Sequence, residues 1–443
     1  MRGCGAARRP PPHAYRKEVM SGLSKQHVAV IGCGIVGVSS AIALLKAGHR
    51  VTLLEPGNPG GEQAASYGNG AWLSPASIVP MSMPGLWRKV PGYLLDPEGP
   101  LVIRLSHLPR LAPWLLRFLM AGSTVQKVER TARALSGLLG DAPRRHLALA
   151  AEAGKPDLIR QDGLLYAYPD RAAFAADALG WRLRRDNGVA RRELEGEALH
   201  AFEPALSGRY QFGALVEAGG HCLDPGCYVA ALARHARALG AVQMPVRAMG
   251  FVVAGGRLTA VATDEGTLPC DRAVIAAGIR SRALAAQAGD RIPLESERGY
   301  HVEIANPAVA PRIPVMPSDG KMGNTVTRNG LRAAGQVEFS SADAPPDWSR
   351  AAILLRHLLA TYPGLGVEPS GVAVRRWQGN RPSTPDGLPV ISPATGCRDI
   401  IHAFGHGHVG LAAGPMTGDL VASLIGGHGA PIDTAPFAAA RFH

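Results

Sequence analysis

The stretch HVAVIGCGIVGVSSAIALLKAGHRVTLLEP, residues 27–56, decides the fold. His27 to Ile31 is a short apolar run of the kind buried in a parallel sheet. Gly32-Cys33-Gly34-Ile35-Val36-Gly37 follows as G-x-G-x-x-G. In that pattern the first glycine permits a tight turn, the second lets a pyrophosphate approach the backbone, and the third lets the next helix lie close to the sheet. Ile35 and Val36 open that helix, whose free N–H groups and positive dipole end suit phosphate. The helix runs through Lys46 to Gly48, and Arg50 to Leu54 forms a second strand. Glu55 closes that strand at the offset of about 20 residues where an acid accepts hydrogen bonds from an adenosine ribose and repels a 2′-phosphate. Together these define a dinucleotide site, and at this point both NAD and FAD satisfy it.

The rest of the chain narrows the choice. At 443 residues it is long enough for two domains, and 46% hydrophobic with 19% charged residues is the balance of a globular protein. No apolar stretch reads as the roughly 20 residues needed to cross a bilayer. The net charge of +12 is carried mainly by dispersed arginines without an RNA-binding motif, so a basic surface is expected and a nucleic-acid partner is not. The 6 cysteines show neither zinc nor redox spacing; no metal is expected, and free thiols fit a reducing cytoplasm. Residues 1–25 are basic and proline-interrupted, with neither the apolar core nor the amphipathic helix of a targeting peptide. They read as a disordered extension, with Met20 as an alternative start.

The second strand leads into a Gly/Ser/Asn loop and a long insertion, not into further strands in succession as in a nicotinamide Rossmann domain. CDRAVIAAGIRS, residues 270–281, then reads as the dinucleotide sheet re-entered, with Ala277 and Gly278 permitting close approach to a cofactor. A glycine-rich block near the end of the chain is explained by a flavin held from both chain ends. The expected fold is α/β: a Rossmann-type FAD-binding domain assembled from 26–75, 206–290 and 376–443. An α+β substrate domain with an antiparallel sheet is expected from 76–205 and 291–375.

Four blocks carry a resemblance that covers nearly the whole chain after Lys25: the fingerprint, EQAASYGNGAWLSP (62–75), AVIAAGIRS (273–281), and NRPSTPDGLPVI with AFGHGHVGLAAGPMTG (380–391, 403–418). They resemble the amino-acid oxidase family of FAD-dependent oxidoreductases, which includes D-amino-acid dehydrogenases, glycine oxidase and sarcosine oxidase. The resemblance implies noncovalent FAD, because no cysteine falls where sarcosine oxidases attach it. It implies that Ser66, Asn69 and Gly70 approach the flavin ring, and that Val246 contacts the adenine through its backbone. Gly405, His406, Gly407, His408, Val409, Gly410 and Leu411 match the last flavin-contacting loop. Arg381 matches the arginine that clamps the substrate carboxylate; a structural tie to Asp386 is the alternative, and Arg375 and Arg376 compete for the role. Tyr300 either hydrogen-bonds the substrate or walls the pocket, and His406 stands where glycine oxidase has a histidine.

The activity implied is oxidative deamination of a small D-amino acid, cyclic imino acids such as D-hydroxyproline or D-proline included, by hydride transfer from Cα to flavin N5. Electrons are expected to pass to a quinone or another carrier. The alternatives are a glycine/sarcosine-type oxidase using oxygen and a tRNA-modifying FAD oxidoreductase. A peripheral membrane contact is expected from Leu111, Trp114, Leu115, Phe118 and Leu119 beside Arg104, Arg110 and Arg117, an apolar helical face with basic flanks suited to an anionic leaflet. A pocket lid made of the same face is the alternative. The location expected is cytoplasmic, at the inner face of the membrane if that contact is made, and oligomers remain open.

Overall fold

In the computed structural model, which describes residues 25–88, 92, 96, 98–99, 101–366 and 373–443, the opening stretch forms β1 (His27–Ile31), α1 (Ile35–Lys46) and β2 (Arg50–Leu54). The extension expected over residues 1–25 lies, apart from Lys25, outside the described residues. β1 and β2 pair in parallel, and Val28, Ala29, Val30, Leu53 and Leu54 are buried, as strands covered on both faces must be. The chain then leaves this sheet and makes α2 (Leu108–Ala121), α3 (Val125–Leu139), α4 (Ala142–Glu152) and, much later, α5 (Pro225–Ala238). Asp224 caps α5 by accepting from Cys227 N–H, with Pro225 at the first helical position.

From α5 the chain returns. β3 (Val242–Met244) adds in parallel outside β2, and β4 (Arg272–Ile275) adds in parallel outside β1. It next crosses to an antiparallel sheet through β5 (Glu295–Ile304), β6 (Gly330–Phe339) and, after α6 (Ser349–Thr361), β7 (Val374–Ser383). β8 (Val390–Pro393) and β9 (Ile400–Phe404) complete the first sheet, and α7 (Gly410–Gly426) lies along α1. The first sheet thus has six strands in the order β3-β2-β1-β4-β9-β8, supplied by three separated stretches of chain.

The expected boundaries shift at three places. α3 and α4, expected with the substrate domain, pack Leu135, Leu138, Leu139 and Leu149 into the core that holds Val38, Ile42 and Leu420. Phe212–Val216, expected on the cofactor side, pairs with Leu164–Tyr168 in the antiparallel sheet. β7 spans the boundary drawn at 376 and belongs wholly to that sheet. An amphipathic helix or a short apolar strand fits either side equally well, so composition alone does not assign it.

Two expectations about membranes also change. Residues 407–426 are long and apolar enough to cross a bilayer, with mean hydropathy 1.3, whereas no such stretch was read from the sequence. Here they form mainly α7, where Gly414 and Gly418 allow contact with Ile35 and Ser39 of α1, and 78% of the window is buried in the protein. The apolar face of α2 turns inward: Leu111 and Trp114 are buried against Phe339, and the Trp114 indole donates to Ser383 O at 3.3 Å. The face therefore packs on the antiparallel sheet, and Trp114 and Phe118 line a small cavity beside the large one. Leu108, Leu116 and Met120 remain exposed on the other side, beside exposed Arg110 and Arg117.

Candidate active site

A cavity of about 890 Å³ runs from the ends of β1 and β2 to the antiparallel sheet. At its first end the three fingerprint glycines divide their work. A Cβ on Gly32 would stand 2.5 Å from Ala276 O, and one on Gly37 only 1.9 Å from Gly32 O. Those two glycines let the β1 turn, the end of β4 and α1 close on one another. A Cβ on Gly34 would meet nothing nearer than Ser66 Oγ at 3.5 Å, and Gly34 lines the cavity. The α1 N-terminus has no side-chain cap at Gly34 and no acid in its first turn. Ile35 N–H instead donates to Ser66 Oγ at 3.1 Å. Glu55 lies on the wall and accepts from Cys33 N–H at 2.9 Å and Gly57 N–H at 3.1 Å. An uncapped helix end, a glycine facing open space and an acid at the strand end fit the phosphates and ribose of a dinucleotide.

Ile35, Val36, Ser66, Asn69, Gly70, Ala277, Gly278, Gly407, His408, Val409, Gly410 and Leu411 stand on the same wall. Asn69 Nδ2 donates to His408 O at 3.4 Å, which brings the N-terminal loop and the C-terminal block together. Three expected cofactor residues stand elsewhere. Gly37 packs under the turn, and Val246 is in the core while Arg247, Ala248 and Met249 reach the wall. Gly405, at φ +87°, lines a smaller neighbouring cavity.

The far end is built by strand register. Arg381 on β7 sits directly opposite Glu297 on β5, and Gly379 opposite Gly299. Arg381 lines the cavity, donates from Nη1 to Gln336 O at 2.9 Å and from Nη2 to Gly335 O at 3.2 Å, and stands 3.6 Å from Glu297 Oε1. Burial lowers its pKa and Glu297 opposes the shift. The guanidinium lies across Gly299, where a Cβ would come within 2.3 Å of it; Trp377 covers Gly379 in the same way. Asp386, the structural partner considered for Arg381, is held by Arg441 at 2.7 Å instead. Arg375 and Arg376 are exposed and lie outside the cavity wall.

The two other expected substrate residues, Tyr300 and His406, stand on the cavity wall and are also tied into the frame around it. Tyr300 alternates to the opposite face of β5 from Glu297 and Arg381. Its hydroxyl donates to Glu338 and accepts from Asp347 N–H, and burial pushes its pKa up to about 12. Its side chain packs toward α6, and Tyr300 lines the cavity, as a residue that walls the pocket would. His406 is buried with Nε2 3.0 Å from Thr417 Oγ1. Because the Thr417 hydroxyl already donates to Ala413 O, the ring donates to it, and burial holds the pKa at about 3. His406 is a neutral anchor of the loop.

Residues missed by sequence reading complete the arrangement. Arg332 pairs with Glu303 and donates to Tyr67 O and Asn69 O, which fixes the loop over the cavity. His301 donates from Nδ1 to Gly68 O at 3.1 Å and stacks on Trp377. Alternation along β5 puts Glu297, Gly299, His301 and Glu303 on one face; that period was visible, but the partner strand was not.

Such a fold and site define a class, a dinucleotide-binding oxidoreductase with a substrate domain carried on an antiparallel sheet. Residues 27–424 match the FAD dependent oxidoreductase (DAO) family, and the chain belongs to it. FAD is the cofactor of that family, and the chain is an oxidoreductase acting on amino-acid donors. A relative named D-amino-acid oxidase, from Bradyrhizobium diazoefficiens, is 53% identical over 94% of this chain and 99% of its own length. D-amino acid dehydrogenase 2 of Ralstonia nicotianae is 31% identical over 94% of this chain and 100% of its own. Among solved structures, glycine oxidase from Geobacillus kaustophilus aligns with TM-score 0.70 at 21% identity, covering 94% of this chain and 99% of that one. L-proline dehydrogenase from P. horikoshii aligns with TM-score 0.71 at 20% identity, covering 94% and 98%.

Proposed function

We propose that the chain oxidatively deaminates small, uncharged D-amino acids, cyclic imino acids such as D-proline and D-hydroxyproline included, with Arg381 holding the carboxylate. The observation that carries this reading is Arg381 on the cavity wall, fixed by two backbone carbonyls that leave other guanidinium N–H groups free. A guanidinium so held offers two parallel hydrogen bonds to a carboxylate and sets both distance and rotation. FAD, when bound, supplies the hydride acceptor. Its holders in this reading are Gly32, Gly34, Glu55, Ser66, Asn69 and the loop around His408, and among the described lining residues there is no cysteine for a covalent link.

The side-chain end suits a compact apolar group. Trp72, Met316, Gly323 and Ala334 line it, and among the described lining residues the one acid, Glu55, sits at the dinucleotide end. D-arginine and D-lysine would find no counter-charge there. The chain's work is orientation and exclusion of water; a strong base at Cα is unnecessary when the nitrogen lone pair drives cleavage.

For the electron acceptor, a quinone was expected on the strength of the apolar face of α2. That face is packed against Phe339, and the 53% identical relative is named an oxidase, so oxygen is the better-supported acceptor. Anaerobic bleaching of the flavin by a panel of D-alanine, D-proline, D-hydroxyproline, glycine, sarcosine and D-arginine tests the substrate. Reoxidation by air against a soluble quinone analogue tests the acceptor. Bleaching by D-arginine first, or by none, sinks the substrate reading. Reoxidation by the quinone analogue far faster than by air returns the acceptor to a carrier.

A further inference from the structure

The surroundings of His408 extend the deamination reading by one step, and the inference rests on that reading. An amino acid arrives mostly as its ammonium, yet Cα–H cleavage needs the nitrogen lone pair free. One proton must therefore leave the site before the hydride does.

Behind the 405–409 loop lies a second cavity of about 40 Å³, enough for ordered water. Trp114, Phe118, Glu297 and Ser383 line it, and exposed Met81 stands on its wall. His408 lines both this cavity and the large one. Its backbone oxygen is held by Asn69, while its ring has no hydrogen-bond partner among the described residues and is exposed to the space it lines. Glu297, with Oε2 accepting from Ser383 Oγ at 2.7 Å, and Arg381 are the charged groups that face it. His406 on the same loop is neutral and bonded to Thr417, and Asp386 across the small cavity is paired with Arg441.

We propose that His408 removes the ammonium proton of the bound substrate and passes it, with Glu297 as counter-charge, to water in the small cavity. An N–H bond of R–NH3+ breaks and an N–H bond of imidazolium forms; no electrons change hands. The imidazolium then gives its proton to water and returns neutral. Desolvation by the protein packed around the ring, and then Arg381, lower its pKa, while Glu297 opposes them and favours the charged form it passes through.

The test uses FAD-loaded wild type, His408→Gln and Glu297→Gln, with anaerobic flavin reduction by D-alanine and D-proline followed from pH 6 to 10. His408→Gln is expected to be about 100-fold slower at pH 7, with the deficit closing to about threefold at pH 10 for D-alanine, as the amine arrives neutral, and closing less for the more basic ring amine of D-proline. Glu297→Gln should change in the same direction by less. Benzoate affinity, read from the perturbed flavin spectrum, should stay within about threefold in His408→Gln, because the clamp is intact. A deficit equal at every pH, or benzoate binding lost in parallel with rate, makes His408 structural and overturns the proposal. Unchanged profiles in both variants overturn it while the deamination reading stands. If neither amino acid bleaches the wild type, that reading fails and takes the relay with it.

Discussion

The two ends of the large cavity are built by opposite means. The dinucleotide end is local: Gly32 to Glu55 supply strand, turn, helix and acid within one continuous segment. Its close contacts are backbone on backbone, as Gly37 under Gly32 O shows. The substrate end is non-local. Arg381 depends on Glu297 opposite, on Gly299 beneath and on carbonyls 335 and 336 from a third strand. A local site survives in a sequence as a motif, whereas a site made by register exists only once three strands have found their partners.

The sharpest way to break that contrast is within the fingerprint. Gly34→Val should abolish flavin retention while the protein stays folded, since Gly34 faces open cavity. Gly37→Ala should fail to fold, since its Cβ would overlap Gly32 O. Visible absorbance and thermal melting of both variants check this. A folded, yellow Gly34→Val would mean that the flavin does not pass over Gly34.

At the other end, Arg381→Ala should keep the flavin and lose about 2–4 kcal/mol of transition-state stabilisation, roughly 30- to 1,000-fold in kcat/KM. Gly299→Ala should imitate part of that loss by displacing the guanidinium, although Gly299 carries no chemistry. Normal kinetics in Gly299→Ala would mean that Arg381 is not held by the floor beneath it.

This explains how much was legible in advance. Gly32, Gly34, Ala277, Gly278, residues 406–411 and Arg381 line the cavity, whereas Gly37, Val246 and Gly405 do not. Tyr300 reaches the cavity wall, but its hydroxyl is taken by Glu338 and Asp347 N–H, because a strand places successive residues on opposite faces and a motif match does not say which face is the pocket. His406 and His408, two residues apart, both line the cavity, but the His406 ring is bonded to Thr417 while the His408 ring has no hydrogen-bond partner among the described residues. Glu297, His301 and Arg332 went unseen because each draws its meaning from a partner more than 20 residues away.

Where the chain passes from one sheet to the other, Asp290 ties the β8–β9 turn, β9 and the C-terminal residue together. It is buried and accepts from Thr395 N–H at 2.9 Å, and from His402 and His443 at 2.8 Å each. Burial alone would raise its pKa, but hydrogen bonds from His402, Thr395 and His443 together hold the carboxyl well below its ordinary 3.8. A depressed folded pKa means that this contribution is complete above about pH 4 and is lost as pH falls through the folded value. Asp290→Asn should cost about 1–3 kcal/mol at pH 7, and the difference from wild type should shrink in acid. Melting temperatures from pH 7 down to 3 measure it. A gap that widens in acid contradicts the sign.

The smallest effect is expected at the outer face of α2, and it separates the lid from the membrane contact. Leu116 is 61% exposed, one turn from exposed Met120 and next to exposed Arg117, while Trp114 on the inner face is buried at 4%. If the helix serves as a lid, its energetics reside in Leu111, Trp114 and Phe339, and Leu116 touches nothing that matters. Leu116→Glu should then alter stability by less than about 0.5 kcal/mol and leave turnover unchanged, as surface changes usually do. Trp114→Glu is a poor probe of membrane contact, since it puts a charge against Phe339 and breaks the bond to Ser383 O. Sedimentation with anionic vesicles, wild type against Leu116→Glu, is the clean comparison. Equal and weak binding leaves α2 a helix packed on the antiparallel sheet through Leu111 and Trp114. Strong binding lost in Leu116→Glu would mean that the outer face, not the inner one, meets an anionic leaflet, with Leu108, Leu116 and Met120 inserted and Arg110 and Arg117 at the headgroups.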